Sequence, residues 1–206
     1  MSADALAAAV RSALTRPRDL PLAATLPARL ELAIVVGDEP ALETALPPLL
    51  DAIEGLGIPR THLEIVLACA ADGAPRREAC DRLRAVLAPV RVHAHDAMRG
   101  DTFVFAWLDR EPVRLDDALR ESEGLVLVAA ARAGVAGATL AGETLAGLAD
   151  AATRARTHGG MRPLADAVTI DLALVVEIGA TPRAWAGSGR WLRAERFPPA
   201  ERSVTS

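Results

Sequence analysis

The sequence predicts an α/β fold: a single three-layer domain with a mostly parallel sheet, helices on both faces and a C-terminal hairpin. Two observations predict it. Short, wholly apolar runs of strand length recur along the chain, which is typical of strands covered on both faces. Helical patterns separate these runs, and strands that alternate with helices form parallel sheets. The 206 residues are enough for one sizeable domain and few for two.

The individual elements follow from apolar spacing and from Gly and Pro positions. Strands are predicted at residues 31–37, 63–69, 90–95, 103–108, 113–115, 124–131 and 171–178, with a hairpin partner at 183–186. Helices are predicted at residues 2–14, 41–56, from 75 onwards, at 116–121 and from 138 to about 156. Pro47 and Pro48 lie inside the second helical pattern, so that helix should bend there, or begin there after a looser turn. The last helix carries several glycines, at roughly 1 kcal/mol each, which tight packing of a neighbour would offset.

The predicted domain organisation has three parts. Residues 1–29 form an N-terminal helix and a Pro-rich connector, residues 30–190 form the α/β domain, and residues 191–206 form a polar tail. The two βα units that begin at the first two strands resemble each other, and no other internal repeat is visible.

Composition excludes several classes of function. All 23 basic residues are arginine, scattered among acids at a net charge of −4, which argues against a nucleic-acid partner. No long apolar segment indicates a signal peptide or a membrane span, so we expect a cytoplasmic protein without a membrane partner. The chain has no lysine, so no Schiff base can form. Cys69 and Cys80 are expected to be buried free thiols. The residue bias resembles that of a GC-rich bacterial genome.

Two acidic corners follow the first two strands. Gly37 and Asp38 come after the first strand, and Asp72 and Gly73 come after the second. Ligands of open α/β sheets bind beyond the carboxyl ends of the strands, so these corners predict a binding site for a hydroxyl group, a metal or a cation. The alternative is that both acids cap the helices that follow, where an N-cap contributes around 1 kcal/mol.

A glycine-bearing loop follows the third buried strand. Its Gly134 and Gly137 could cradle a phosphate with backbone amides at a helix N-terminus. The loop is not a P-loop, which requires a lysine, and its spacing is not that of a dinucleotide-binding fingerprint. The alternative is a structural glycine loop.

Two histidines lie on one face of the predicted strand at residues 90–95. His93 and His95 are two residues apart, a workable metal-binding geometry, and Asp96 and Asp101 lie nearby. No third ligand is identifiable, and histidines on a solvated strand face are the alternative. No serine lies in a nucleophile-elbow context, so a catalytic triad has no support.

Several of these segments together resemble a known family. The residues IVVGDEP, VRVHAHDA, ESEGLVLVAA and MRPLADAVTIDLALVVEIGATPRAWAG, spread over about residues 32–188, resemble the N-terminal domain of the nickel-pincer lactate racemase family. The resemblance implies the α/β fold and a nickel-pincer cofactor. In that family a lysine holds the cofactor covalently, a histidine ligates nickel and two further histidines exchange the substrate proton.

The chain departs from that family at the residues that carry the chemistry. Asp38 matches the family's first acid, but Asp72 falls where the first catalytic histidine would be, and Val135 or a neighbour replaces the second. Thr144 and the residue after it take the place of the Arg-Lys pair, so the tether lysine is absent. His158 is the remaining candidate for the nickel ligand. The resemblance covers the family's N-terminal domain, and we expect the family's second, C-terminal domain to be missing.

Three hypotheses follow. The favoured one is a divergent racemase-like domain without racemase activity, a pseudoenzyme that acts as a small-molecule-binding or accessory protein. The second is an active 2-hydroxyacid racemase or epimerase with a noncovalently held nickel cofactor, in which Asp72 and His95 are the catalytic candidates and His158 the metal ligand. The third is an unrelated small α/β enzyme or nucleotide binder. A homo-oligomer or a partner subunit is compatible with each.

Overall fold

Strands and helices alternate along the chain, as the apolar pattern predicts. The structure is a computed structural model that describes residues 2–26, 31–108, 110–157 and 162–197. The strands are β1 (Leu32–Val36), β2 (Leu63–Leu67), β3 (Arg91–Ala94), β4 (Thr102–Leu108), β5 (Glu111–Asp116), β6 (Gly124–Ala130), β7 (Leu172–Glu177) and β8 (Arg183–Gly187). The α-helices are α1 (Ala3–Thr15), α2 (Leu22–Thr25), α3 (Leu46–Glu54), α4 (Arg77–Leu87), α5 (Ala118–Glu121), α6 (Gly137–Ala146), α7 (Ala151–Thr157), α8 (Arg162–Ala167) and α9 (Gly189–Ala194). Pro40–Ala45 and Arg60–His62 form 3-10 helices.

Six strands form one sheet in the order β3-β2-β1-β6-β7-β8. β1 pairs in parallel with β2 and with β6, and the outer pairs β2–β3 and β6–β7 are parallel as well. Of these six strands, β8 runs antiparallel, as the hairpin partner of β7. The predicted fold class is therefore confirmed: an α/β domain with a mostly parallel sheet and a C-terminal hairpin.

Each face of the sheet is covered by its own layer of helices. Side chains alternate between the two faces along a strand, so neighbours in β1 belong to different clusters. Ile34 packs into a cluster with residues of α1, α3 and α4, whereas Val35 packs into a cluster with residues of α6 and α8. Both side chains are 0% exposed. This two-sided burial explains why the central strands are apolar throughout.

Pro47 and Pro48 mark the start of α3. A 3-10 turn over Pro40–Ala45 comes first, and the α-helix begins at Leu46. Both prolines lie in the first helical turn, where a backbone N–H has no intrahelical acceptor and proline loses nothing. Of the two predicted alternatives, a helix that begins here after a looser turn is the one that the structure confirms.

The single helix predicted from residue 138 to about 156 is instead two helices. α6 ends at Ala146 and α7 begins at Ala151. Gly147, at the junction, lies against the end of β2: a Cβ at this position would be 2.6 Å from the Ala68 Cβ. Close packing of a neighbour thus accompanies this glycine, as expected.

Both ends of the described chain pack against the domain. Leu6 and Val10 of α1 are 0% exposed and belong to the same cluster as β1. At the other end, Leu192 of α9 is 0% exposed and Phe197 is 3% exposed. The tail predicted to be polar from residue 191 therefore contributes buried apolar side chains up to residue 197, and residues 198–206 lie outside the described part. Helices α8 and α9 were not predicted.

β4 and β5 form a separate two-stranded antiparallel sheet. The predicted pairing of residues 113–115 with 103–108 is confirmed by partners such as Ala106 and Val113. Phe103 and Phe105 are partly buried against the cluster that contains α6 and α8. The hairpin therefore adds to the layer on that side of the main sheet.

One expectation from composition is met in the described residues. Cys69 and Cys80 are buried free thiols. No described helix combines the length and the apolar character needed to cross a membrane.

Candidate functional site

The strand order reverses direction at β1, and a cleft opens at that point. The chain proceeds from β1 outward to β2 and β3 on one side, and later returns to place β6 and β7 on the other. Crevices at such switch points, beyond the carboxyl ends of the strands, are the usual ligand sites of open α/β sheets. Here the cleft has a volume of about 840 Å³, and Gly37, Asp38, Asp72 and Gly73 all line it. The structure thus brings the two predicted corners together.

At the first corner, after β1, the Asp38 carboxylate is exposed and makes no hydrogen bond or ion pair with a described residue. The Gly37 N–H donates to the Val128 carbonyl at 2.9 Å, and the Gly37 carbonyl accepts from Arg76 at 2.8 Å, so the backbone is held on both sides. Asp38 is exposed. The N-cap of the following 3-10 helix is Glu39, without a side-chain hydrogen bond, so the capping alternative for Asp38 is wrong. Within the described residues, the Asp38 carboxylate has no hydrogen bond or ion pair.

The second corner is a tight turn that Asp72 itself shapes. One Asp72 carboxylate oxygen accepts from the Ala74 N–H at 2.9 Å. The Ala70 N–H donates to the Ala74 carbonyl at 3.0 Å, and Gly73 adopts a φ of +87°, which favours glycine. Helix α4 begins only at Arg77, so Asp72 caps this turn and not the helix, and the capping alternative is wrong here too. Asp72 is exposed, and its second oxygen faces no described donor.

Arg154 holds the end of β2 beside the cleft, a role that sequence reasoning missed. Its guanidinium donates to Cys69 Sγ at 2.9 Å, to the Ala146 carbonyl at 3.1 Å and to the carbonyls of Ala70 and Ala71 at 3.1 and 2.9 Å. Burial raises the pKa of the Cys69 thiol even though the Arg154 charge opposes this. Cys69 is therefore a neutral thiol at neutral pH. No local pattern marks an arginine 85 residues away as its partner.

The arginines that line the cleft are already engaged with the protein. Arg132 forms an ion pair with Glu143, and both line the cleft. The Arg154 guanidinium donates hydrogen bonds to the carbonyls of Ala70 and Ala71, directly after β2. The carboxylates of Asp38 and Asp72 have no such cationic partner in the described chain. The cleft therefore presents uncompensated negative charge at its two corners.

The glycine loop does not form a phosphate cradle. The Gly134 N–H donates to the Phe197 carbonyl at 3.0 Å, and the Gly137 N–H donates to the Glu195 carbonyl at 2.9 Å. A Cβ on Gly137 would be 1.9 Å from the Leu192 carbonyl oxygen, so this glycine is needed for the close approach of α9. Neither glycine lines the cleft. The predicted ligand-binding role of both is corrected: the loop is structural, because the C-terminal segment takes its amides.

His93 and His95 point to the same side of β3, as predicted, but they hold a carboxylate and not a metal. The His93 ring lies between Glu64 at 3.1 Å and Asp116 at 3.0 Å. The His95 ring lies between Asp116 at 2.7 Å and the Ala149 carbonyl at 3.2 Å. All four ring nitrogens lie within hydrogen-bonding distance of protein oxygen atoms, so the directions along which a metal ion would bind are already occupied.

The hydrogen bonds of this network favour the charged forms of His93, Asp116 and Glu64. Burial by itself lowers the pKa of His93, but the hydrogen bonds with Asp116 and Glu64 raise it to about 9. Burial raises the pKa of Asp116, yet the two histidines hold it well below its usual range. The hydrogen bond from His93 lowers the pKa of Glu64. Asp116, which sequence reasoning placed at a helix start, is thus the central acceptor of a buried ion network.

The remaining catalytic and metal candidates have different outcomes. His95 is 1% exposed and does not line the cleft, so its catalytic candidacy is corrected. His158, the predicted metal ligand, lies outside the described residues. Across residues 2–26, 31–108, 110–157 and 162–197, no three His, Cys, Asp or Glu side chains are placed to hold a metal ion.

Comparison with known proteins supports the fold. No family model matches the chain, and no curated protein matches it. Among solved structures, the chain is similar to the lactate racemase apoprotein from Thermoanaerobacterium thermosaccharolyticum, with a TM-score of 0.63 and 16% sequence identity. The match covers 88% of this chain and 52% of that protein, so this chain spans about half its length. The two proteins share a fold, and the structural relationship between them is distant.

Proposed function

We propose that this protein binds a small molecule in the switch-point cleft, between Asp38 and Asp72, and that it does not racemise hydroxy acids. The observation that carries the proposal is the cleft itself. Its volume of about 840 Å³ lies in the range of small-molecule sites, and both acidic corners line it. A pocket of this size with convergent polar groups is the default binding-site hypothesis for a fold of this class.

The charges of the cleft favour a ligand with amine or hydroxyl groups. Asp38 and Asp72 offer carboxylate oxygens that accept hydrogen bonds, and carboxylates prefer cationic or O–H donors. Arg132 is neutralised by Glu143, and Arg154 is committed to backbone carbonyls and a thiol. A carboxylate ligand such as a hydroxy acid would lie near these two carboxylates, and no described residue that lines the cleft offers a free cation to offset the repulsion.

The nickel-pincer cofactor that the resemblance implies does not fit the residues present. The chain has no lysine, and the tether position falls at Thr144 and Leu145. Leu145 is 0% exposed in the core, and the Thr144 hydroxyl donates to the Leu140 carbonyl at 2.9 Å. In the part of the chain that the structure describes, no histidine lines the cleft, so the lining offers no base with a pKa near neutrality.

Thermal-shift measurements with three probes test this proposal: an amino sugar, a neutral polyol and lactate. A ligand at 100 times its Kd stabilises a protein by about 2.7 kcal/mol. We expect the amino sugar or the polyol to raise Tm and lactate to leave it unchanged. Asp72→Asn should weaken the response, because an amide keeps the turn acceptor but loses the charge. Asp81→Asn, at an exposed acid of α4, is the matched control.

Stabilisation by lactate alone would refute the proposed ligand class. A response that survives in both Asp38→Asn and Asp72→Asn would refute the proposed site.

A second candidate function is that of a 2-hydroxyacid racemase or epimerase with a noncovalently held nickel cofactor. The shared fold with a lactate racemase apoprotein favours it. Metal analysis combined with intact mass, on protein produced together with the cofactor's biosynthetic enzymes, tests it. Stoichiometric nickel that is lost in His158→Ala, together with lactate racemisation, would establish this function in place of the first.

A further inference from the structure

We infer that the free edge of β4 pairs with the same strand of a second copy of this chain, so that the protein assembles as a two-fold symmetric dimer. The observation behind this is an apolar edge strand whose two flanks carry opposite charges. This inference does not depend on the proposed function, because the edge lies in the β4–β5 sheet and not in the cleft.

Among the described residues, β4 is an edge strand with no element hydrogen-bonded to its outer side. It pairs with β5 alone, and no described backbone group of β4 donates to, or accepts from, any other element. The other edge of the hairpin is occupied, since Leu115 of β5 forms a bridge with Ala149. An edge of this kind presents a row of unpaired N–H and C=O groups that can pair with another strand.

The strand lacks the charges that usually protect such an edge. Its seven residues, TFVFAWL, include no charged side chain. Trp107 is 66% exposed and Val104 is 37% exposed, whereas Trp185 and Trp191 pack against the core. Tryptophan is one of the three side chains enriched among the residues that dominate binding energy at protein interfaces.

A β-bulge places both exposed side chains on one face. In a regular strand, residues three positions apart point to opposite faces. The register of β4 against β5 shifts between Val104 and Ala106, which brings Val104 and Trp107 to the outer face together. The partly buried Phe103 and Phe105 remain on the inner face. The bulge thus creates an apolar outer stripe along the free edge.

The charges at the two ends of the strand identify the occupant as a second copy. Asp101 directly precedes β4, and Arg110 lies in the turn that follows it; both are exposed. When two copies of β4 pair in antiparallel orientation, the start of each strand lies beside the end of the other. Asp101 of each copy then lies near Arg110 of the other, and two-fold symmetry forms this pair twice. The strand is therefore complementary to itself in both charge and apolar surface.

Sedimentation velocity on the full chain tests the inference. We expect a dimer with a Kd tighter than about 100 μM, which Trp107→Glu converts to a monomer. Val86→Glu is the matched control, because Val86 is 71% exposed on α4 and lies away from this edge. A monomeric wild-type chain at that concentration, or a dimer that survives Trp107→Glu, would overturn the inference, and so would a dimer that Val86→Glu dissociates as fully as Trp107→Glu does. Far-UV circular dichroism of each variant confirms that it is folded.

A charge-reversal experiment tests the orientation. Asp101→Arg and Arg110→Asp should each weaken self-association by roughly tenfold, because each places like charges together at both ends of the interface. An equimolar mixture of the two variants should recover the wild-type affinity as a heterodimer, since opposite charges then meet at both ends. If the mixture associates no better than either variant alone, the antiparallel β4 pairing is wrong.

Discussion

The substitution Asp116→Asn removes the charge at the centre of the histidine network. The Asp116 side chain is 8% exposed. Its carboxylate accepts hydrogen bonds from His93 at 3.0 Å, from His95 at 2.7 Å and from the Ala118 N–H at 3.0 Å. An asparagine offers one acceptor oxygen, and its NH2 group would face a ring N–H. One histidine therefore loses its acceptor and remains buried without it.

The expected cost of this change is large for a domain of this size. Breaking a buried ion pair by removing one partner costs about 3–5 kcal/mol. His93 keeps Glu64 as a second acceptor and its side chain is 29% exposed, so solvent and Glu64 offset part of the loss. We expect about 3 kcal/mol, which at 2–4 °C per kcal/mol lowers Tm by roughly 6–12 °C.

The pH dependence of stability gives an independent test. The pKa of His93 is raised from 6.5 to about 9 in the folded protein, so its contribution is complete below pH 6.5 and is lost as pH rises through 9. The pKa of Asp116 is held below its usual 3.8, so its contribution is present above that pH and is lost as pH falls further. Asp116→Asn should flatten the loss of stability between pH 6.5 and pH 9, because the His93 pKa falls in the variant.

Urea unfolding at pH 6 and pH 9, on wild type and variant, measures both effects. Asp117→Asn is the matched control: Asp117 is 43% exposed and its pair with Arg120 is 3.7 Å long, so its loss should cost under about 1 kcal/mol. The reasoning is refuted if Asp116→Asn lies within 1 kcal/mol of wild type at pH 6. It is also refuted if the variant loses as much stability as wild type between the two pH values.

Two further predictions concern packing and thiol reactivity. Gly137→Ala should cost several kcal/mol in urea unfolding, because its Cβ would lie 1.9 Å from the Leu192 carbonyl oxygen, whereas Gly179→Ala, with open space around it, should be near neutral. A cost for Gly137→Ala no greater than that for Gly179→Ala would contradict the described contact with α9. Cys69 and Cys80 should resist alkylation at pH 7 in the folded protein, because burial raises the pKa of both thiols, and both should react fully in urea. Rapid labelling of either cysteine without denaturant would contradict their burial.

Much of the fold could be predicted from local pattern. The strands from Leu32, Leu63 and Gly124 were predicted within two residues, because a strand buried on both faces is a nearly continuous apolar run. The acidic corners at Asp38 and Asp72 could be placed as well, since the carboxyl ends of parallel strands meet at one edge. The size of the cleft could not be predicted, because it depends on how the surrounding helices and loops pack. The free state of these carboxylates could not be predicted either, because it depends on which cations the fold places nearby.

The sequence by itself determined the fold class, the strand positions, the place of the two acidic corners at the ends of their strands and the absence of a lysine that could tether a cofactor. The tertiary structure alone decided the partners of the polar side chains. Asp116 meets His93 and His95 across about twenty residues, and Arg154 reaches Cys69 across 85. Such pairings leave no periodic signal, because burial selects apolar residues by spacing, whereas a buried charge is stabilised by whichever opposite charge the fold brings within hydrogen-bonding distance. For this reason the histidines considered as a metal pair form an ion network, and of the alternatives for the glycine loop the structural one holds.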